Sequence, residues 1–318
     1  MAGHAHDSDP HIGRSIKLRD LHFMFCVAEE GSMAKAAVRL SSTQPTVSQA
    51  IADLEDAVGA RLFDRSTQGV VLTRFGEVLL RSGLEAFDAL RQGLRNIDFL
   101  STPGAGDVWL GCAQSPLHGF VPALIGRLTQ SHPKILVHVS DAPQLAGDFR
   151  QLRDHRVDLM FGPWGQARTD DDLQVEKMLE EPFTVVAGVG SPWASRKRVK
   201  LDDLMDEPWI YGEPENATQK LISEAIRARC GRLPRVGVYT VSMSLRLALL
   251  ASGNYVSCIP SSVYRYGAQG RPIKSLPIDL GLTLPVAMIS LKQRSLSPVV
   301  QVFMETARQV AQEMKRES

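Results

Sequence analysis

Residues 18–76, LRDLHFMFCVAEEGSMAKAAVRLSSTQPTVSQAIADLEDAVGARLFDRSTQGVVLTRFG, hold the densest local signals in the chain. Leu18, Leu21, Phe25 and Ala28 repeat at helical spacing, and Phe23, Cys26 and Val27 widen the same apolar face. Gly31 is placed to stop that helix, because glycine takes the left-handed conformation of a helix end without steric cost. Ser32 reads as the N-cap of a second, short helix whose apolar face is Met33, Ala36, Ala37 and Leu40. After the polar break Ser41-Ser42-Thr43, Pro45 sits where a first helical turn tolerates a missing N–H. The third helix has Val47, Ile51, Leu54 and Val58 on its apolar face and Thr46, Ser48, Gln49, Ala50 and Asp53 on the other, and Gly59 ends it.

A short Ala-rich helix, a tight turn and a helix with small polar residues at its start form a helix-turn-helix pattern. Periodicity alone fits a plain three-helix bundle with a solvated polar face equally well. The residues after Gly59 favour the helix-turn-helix: Leu62-Phe63 and Val70-Val71-Leu72 can pair as a hairpin about the turn Ser66–Gly69, a wing flanked by Arg65 and Arg74. From Thr73 a long helix is predicted to about Leu100. Gly76, Leu80, Gly83, Phe87, Leu90, Leu94 and Ile97 alternate along it at heptad spacing, a seam for pairing two chains or for packing on its own domain. Ser101-Thr102-Pro103-Gly104-Ala105-Gly106 breaks that helix and forms the clearest linker.

The words AEEGSMAKAA, TQPTVSQAI, LE, GARLFDR and LTRFGE, in order and without a gap over Leu18–Glu77, closely resemble the winged helix-turn-helix of LysR-type transcriptional regulators. The resemblance implies double-stranded DNA as partner, with Ser42, Thr43, Gln44, Pro45, Thr46, Ser48 and Gln49 reading it and Lys35, Arg39, Arg65 and Arg74 touching phosphate. It implies a homodimer through Leu80, Gly83, Phe87, Leu90, Leu94 and Ile97, assembling to a tetramer on a pseudo-palindromic promoter, with RNA polymerase as a further partner. One departure stands out. Where the family often carries Arg or Lys after Ser48, this chain has Gln49, and no basic residue occurs in 41–58. Between Arg14 and Asp98, eleven basic residues face eleven acidic ones, so DNA affinity cannot come from bulk charge.

The whole chain agrees with that limit. Its 318 residues fit two or three domains, and a net charge of +1 excludes a histone-like or polybasic protein. Residues 1–16 read as a polar, structureless tail without a secretory signal, and no run approaches the length of a membrane span, so a cytoplasmic protein is expected. Cys26, Cys112, Cys230 and Cys258 form no CxxC, and no metal or cofactor is predicted; buried reduced thiols are expected, with a Cys230–Cys258 redox pair the sharper alternative.

Beyond Asp107, strands alternate with helices: Val108–Ala113, Ile135–Val139 and Val157–Gly162 with helices Val121–Gln130 and Gln144–Asp154, then Phe183–Ala187, Trp209–Tyr211, Val236–Thr240 and Tyr255–Ile259 with helices Ala217–Ala228 and Ser242–Ala251. Leu284–Ser290 and a helix Pro298–Lys315 return to the first set. The predicted class is α/β: a mainly α winged helix-turn-helix (17–73), a linker helix (74–100), a hinge (101–106) and a two-subdomain α/β effector domain (107–318). Subdomain I is predicted at about 107–162 and 272–318 and subdomain II at about 167–270, with crossovers near 163–166 and 265–275. VWLGCAQS, HPKILVHV, RVDLMFGP and SGNYVSCIP are similar to the periplasmic-binding-protein-like effector domain of the same family, which implies a small-molecule effector in the cleft. Strand ends and helix starts nominate Gln114, Ser115, Gly162, Trp164, Ser242 and Met243, serine hydroxyls beside free N–H groups suiting an anionic metabolite. GxSxG, GxGxxG after a strand, Walker and HExxH motifs are absent, so an enzyme is not expected. The rival reading is a cytosolic small-molecule-binding protein whose N-terminal helical domain is only structural.

Overall fold

The computed structural model describes residues 16–66, 69–142, 149–165 and 170–316, and the chain divides into two compact units at Arg91/Gln92. In the first unit, α1 (Leu18–Glu30) ends at Gly31 in the left-handed conformation, whose N–H returns to the Val27 carbonyl. Ser32 caps α2 (Met33–Arg39) by accepting from Lys35 N, and Thr43 caps α3 (Gln44–Val58) by accepting from Thr46 N, with Pro45 in the first turn. Met24, Val27, Ala36, Val47, Ile51 and Leu54 are buried together between these three helices.

The wing is a two-stranded antiparallel hairpin, β1 (Phe63–Ser66) and β2 (Gly69–Leu72), in the register Phe63 to Leu72 and Asp64 to Val71. Three bonds fix it to the helices. Glu55 Oε1 accepts from Leu62 N at 2.7 Å and Phe63 N at 3.3 Å, and Val70 N donates to the Gly31 carbonyl at 2.9 Å. The tip residues of the predicted turn, 67 and 68, lie outside the described residues, as does nearly all of the predicted N-terminal tail.

Thr73 caps α4 (Arg74–Ser101), accepting from Gly76 N at 3.1 Å. The predicted seam splits here. Leu80 and Phe87 pack on the helix-turn-helix core, Phe87 edge-on to Phe25 at 5.3 Å, and a Cβ at Gly83 would stand 2.9 Å from the Phe25 ring. Those three residues, expected to pair two chains, pack within their own domain, Leu80 and Phe87 remaining half-buried. They follow heptad spacing because α1 offers an apolar face at the same repeat. Leu90, Leu94, Ile97 and Leu100 remain exposed.

In the second unit, the described residues form an eight-stranded mixed sheet in the order Ile135–Asp141, Gly106–Cys112, Leu159–Pro163, Ile273–Leu291, Leu173–Gly188, Val256–Pro260, Trp209–Tyr211 and Val236–Tyr239. Its first block is parallel: β3 (Gly106–Cys112) leads through α5 (Gln114–His118) and α6 (Phe120–Ser131) to β4 (Ile135–Asp141), then through α7 (Arg150–Arg153) to β5 (Leu159–Pro163). Two long strands follow in chain order with other elements between them: β6 (Leu173–Gly188), β7 (Trp209–Tyr211), α8 (Ala217–Cys230), β8 (Val236–Tyr239), α9 (Met243–Ala251), β9 (Val256–Pro260), β10 (Ile273–Leu291) and α10 (Pro298–Arg316). β7, β8 and β9 form the second parallel block. α6 and α10 cover one face of the first block, α8 and α9 opposite faces of the second.

The boundaries between subdomains differ from those predicted. The crossovers are the antiparallel pair β6 and β10, which spans both blocks. Met178 and Leu179 lie in the core of subdomain I, while Phe183 and Val185 lie in that of subdomain II, so the first crossing is at Glu180–Pro182. Ile273 and Leu276 belong to subdomain II and Val286 to subdomain I, so residues 272–280 are reassigned. The charged residues of QVEKMLEE and the prolines at 277 and 285 interrupt the apolar runs, which hides the full strand length from periodicity. Of the predicted helix Gln144–Asp154, the structure shows Arg150–Arg153; residues 143–148 lie outside the described ones.

Candidate functional site

The helix-turn-helix presents one polar surface. The turn between α2 and α3 closes with Ser41 at φ 49°, its N–H and that of Ser42 returning to the Val38 and Ala37 carbonyls. This turn aims the first turn of α3 outward. Thr43, Gln44, Pro45, Thr46 and Gln49 are exposed there, Ser42 and Ser48 half-buried, while Val47 and Ala50 of the same helix are buried. The Thr43 and Thr46 hydroxyls are 2.8 Å apart, which pins both at the helix start. Gln49 Nε2 donates to Asp53 Oδ1 at 2.7 Å, one turn along. That bond orients the amide along the helix and leaves its carbonyl and second N–H available for a base edge.

The basic residues divide. Lys35 and Arg74 are exposed and make no ion pair among the described residues. Arg39 is held at 2.5 Å by Glu29 and at 3.3 Å by Glu30, the Glu29 contact chiefly raising its pKa. Both carboxylates sit on the same Nη1 and offset its charge toward a phosphate. Arg65 lies in β1, and its side chain is outside the described residues.

In the second unit, the predicted effector residues separate into two groups. Gln114, Ser242 and Met243 come together: Met243 N donates to Gln114 Oε1 at 3.3 Å, and Ser242 caps α9 by accepting from Leu245 N. Ser115 sits beside them in α5, which is only five residues long and offers little dipole. Gly162 and Trp164 do not join this group. Gly162 is a buried ladder position of β5 opposite Ala287, and Trp164 donates its backbone N–H to the Pro285 carbonyl while its ring packs on Phe149. Gly162 is part of the sheet, and half-buried Trp164 is part of its apolar cover.

Other residues complete the seam between α5 and α9. Asp141 Oδ2 accepts from Gln114 Nε2 at 2.7 Å. His118 bridges the Gln114 backbone carbonyl through Nδ1 (2.9 Å) and the Ser244 hydroxyl through Nε2 (3.1 Å). Because a carbonyl only accepts, neutral His118 carries its proton on Nδ1, and Ser244 donates to Nε2. Arg246, one turn into α9, is buried; it donates to the Thr240 and Cys258 carbonyls and the Ser257 hydroxyl. Asp141 and Arg246 escape sequence reading because a strand-end Asp and a lone Arg among leucines look like solvated surface. A separate cavity of about 230 Å³ lies at the crossing, lined in part by Glu180, Glu181, Ser262 and Arg265.

All four cysteines are reduced. Burial pushes the Cys258 thiol up to about 12 and raises Cys230, so the reactive thiolate is scarce at both. No cluster of three or more metal-ligating side chains and no helix long and apolar enough to cross a membrane occur among the described residues.

Two family models cover most of the chain: the bacterial regulatory helix-turn-helix protein, lysR family, over residues 18–77, and the LysR substrate binding domain over 102–312. The chain is 26% identical over 302 residues to the uncharacterized HTH-type transcriptional regulator YdcI of Escherichia coli, covering 93% of this chain and 96% of that one. It is 27% identical over 299 residues to the HTH-type transcriptional regulator TfdS of Cupriavidus pinatubonensis, covering 92% and 98%. The fold matches that of CbnR, a LysR family transcriptional regulator, solved alone and with its target DNA, at TM-score 0.65 and 20% identity over 93% of this chain and 99% of the free CbnR chain. This chain belongs to the LysR family: it is a DNA-binding transcription regulator, not an enzyme, with a helix-turn-helix domain followed by an effector-binding domain.

Proposed function

We propose that this regulator reads a pseudo-palindromic promoter site in the cytoplasm as a homodimer that assembles further to a tetramer, and that a small anionic metabolite adjusts its grip. The observation that carries the reading is the Thr43-capped start of α3, where Thr43, Gln44, Pro45, Thr46 and Gln49 stand exposed beside a wing locked to the same helix by Glu55. Groups of that size at a helix start fit a major groove, and backbone N–H groups there favour phosphate. Leu90, Leu94 and Ile97 are the exposed part of the α4 seam and supply the pairing surface, while Lys35, Arg65 and Arg74 supply phosphate contacts. RNA polymerase is the partner through which promoter occupancy is read out.

The test is selection of bound sequences from a random duplex pool, followed by binding titrations of variants. Gln49→Ala is expected to relax preference at one base pair per half-site, by about 1–3 kcal/mol. Arg65→Ala is expected to weaken binding to every sequence alike. A selected site without two-fold symmetry, or a Gln49→Ala variant with unchanged preference, overturns the assignment. Failure of the pool to yield any specific site favours the rival reading, a small-molecule-binding protein with a structural N-terminal domain.

A further inference from the structure

Arg246 is the feature of the effector domain that its packing leaves unexplained. Its side chain is 7% exposed, and no carboxylate pairs with it among the described residues. Three neutral oxygens receive its Nη protons, and its buried Nε has no partner among the described residues. Burial alone pulls its pKa down to about 10, the signature of a cation that lacks its counter-charge.

Its position is specific. The guanidinium lies at the carboxyl ends of β7 and β8, bonded to the Thr240 carbonyl. A Cβ built on Gly212, just past β7, would stand 3.4 Å from Gln219 Oε1 and 3.8 Å from Nη2, so the end of β7 lies within contact distance of the guanidinium. β7 is also where the sheet changes winding direction: α8 covers one face of the block and α9 the other. Ligands of open α/β sheets sit at such a point, outside the carboxyl ends of the strands. α9, a nine-residue helix, starts three residues before Arg246, with Met243 N donating to Gln114 Oε1.

The opposite wall of the seam carries the other sign. Asp141 ends β4 next to the start of α5, and its carboxylate accepts from the Gln114 side-chain N–H while the Gln114 side-chain carbonyl accepts from Met243 N. The single primary amide of Gln114 therefore spans an acceptor on subdomain I and a donor on subdomain II, presenting an oxygen and an N–H side by side. A 2-hydroxycarboxylate presents the same pair, a carboxylate oxygen beside a hydroxyl, and adds the negative charge that Arg246 lacks.

We propose that the seam between α5 and α9 takes a small 2-hydroxycarboxylate, its carboxylate held by Met243 N and Arg246 and its hydroxyl donated to Asp141, with Gln114 displaced as an internal stand-in. The inference rests on the reading of this domain as effector-binding and names the effector's class and its anchor. Displacement of Gln114 frees the bridge between the subdomains, so the ligand's arrival and the rearrangement of the seam are one event.

The test is calorimetry on the full chain with lactate, malate, gluconate and mandelate, each against its counterpart without the 2-hydroxyl or any hydroxyl: propionate, succinate, hexanoate and phenylacetate. At least one hydroxy acid is expected to bind, with its deoxy counterpart weaker by about tenfold or more. Arg246→Met is expected to abolish that binding and Gln114→Ala to tighten it. Gly212→Val, which adds side-chain bulk beside Gln219 and Nη2 and keeps the guanidinium, tests the site separately should Arg246→Met not fold, and it too is expected to abolish binding. No binding by any hydroxy acid, equal binding of a deoxy counterpart, or binding that survives Gly212→Val overturns the proposal. Specific DNA binding by the same preparation, measured without ligand, separates this failure from failure of the regulator assignment.

Discussion

Replacing Asp158 by alanine is expected to destabilise the effector domain by about 3–5 kcal/mol, the usual cost of removing one member of a buried ion pair. Asp158 stands just before β5 and is 1% exposed. Its Oδ1 accepts from Arg95 and Arg294, each at 2.9 Å, and its Oδ2 from Trp109 N at 2.9 Å. The two arginines are not equivalent. Arg294 is 2% exposed and also donates to the Val157 carbonyl at 2.7 Å, so this ion pair is buried and loss of the carboxylate takes a charged acceptor from a cation held away from water. Arg95, from the last turns of α4, is 16% exposed and lies 4.4 Å over the Trp109 ring. Loss of Arg95 removes one partly screened ion pair and one cation–π contact, about 1–2 kcal/mol together.

The ordering follows from this geometry: Asp158→Ala costs far more than Arg95→Ala. In the double variant, Arg95→Ala adds little to Asp158→Ala, because its chief partner is already missing. All four tryptophans, at 109, 164, 193 and 209, lie in the second unit, so their fluorescence in a urea titration reports that unit alone. A midpoint for Asp158→Ala within about 1 kcal/mol of the parent refutes the account. So does an Arg95→Ala cost that is undiminished in the double variant.

Gly76→Ala would place a Cβ 2.2 Å from the Leu62 carbonyl oxygen and 2.8 Å from Leu72, so the start of α4 must shift; a melting point lower by several degrees, read by circular dichroism, is expected. With Lys35, Arg65 and Arg74 as the phosphate contacts of each half-site, a dimer neutralises about six phosphates, and the slope of log K against log salt is expected near −5. A slope near −10 would show that Arg39 and others leave their carboxylates. Glu181 is buried at the crossing, accepting from Ser262 N, and burial raises its pKa. The folded state then holds its proton more tightly than the unfolded one, so this residue's contribution to stability falls as pH rises from about 4.5 through the folded pKa. Glu181→Gln should therefore raise stability at pH 7 and leave it nearly unchanged at pH 4, as measured by tryptophan fluorescence melts.

Local chemistry made the DNA-binding unit legible in sequence. Ser32, Thr43 and Thr73 cap, Gly31 and Gly59 stop, and the structure uses each as its side chain, or lack of one, dictates. The effector domain was legible where strands are short and fully buried, as at Trp209–Tyr211, and illegible where a strand changes cores midway, as β6 does between Leu179 and Phe183. The seam residues show the same limit. Gln114 and Ser242 follow from rules about strand ends and helix starts, but Asp141 and Arg246 matter only through what the tertiary fold sets beside them. The same dependence governs the charge of the DNA-binding unit. Eleven acids balance eleven bases, yet Arg39 and Glu29 cancel each other locally, and Gln49 and Asp53 are joined on the reading helix itself. Asp53 there opposes the phosphate field that usually holds such helices on any DNA. A single unit so balanced gains little from nonspecific attraction, so in the proposed dimer its occupancy comes from base contacts summed over two units. Discrimination between sites is thereby bought with weak binding per half-site, which makes DNA occupancy sensitive to whatever alters the pairing of two chains.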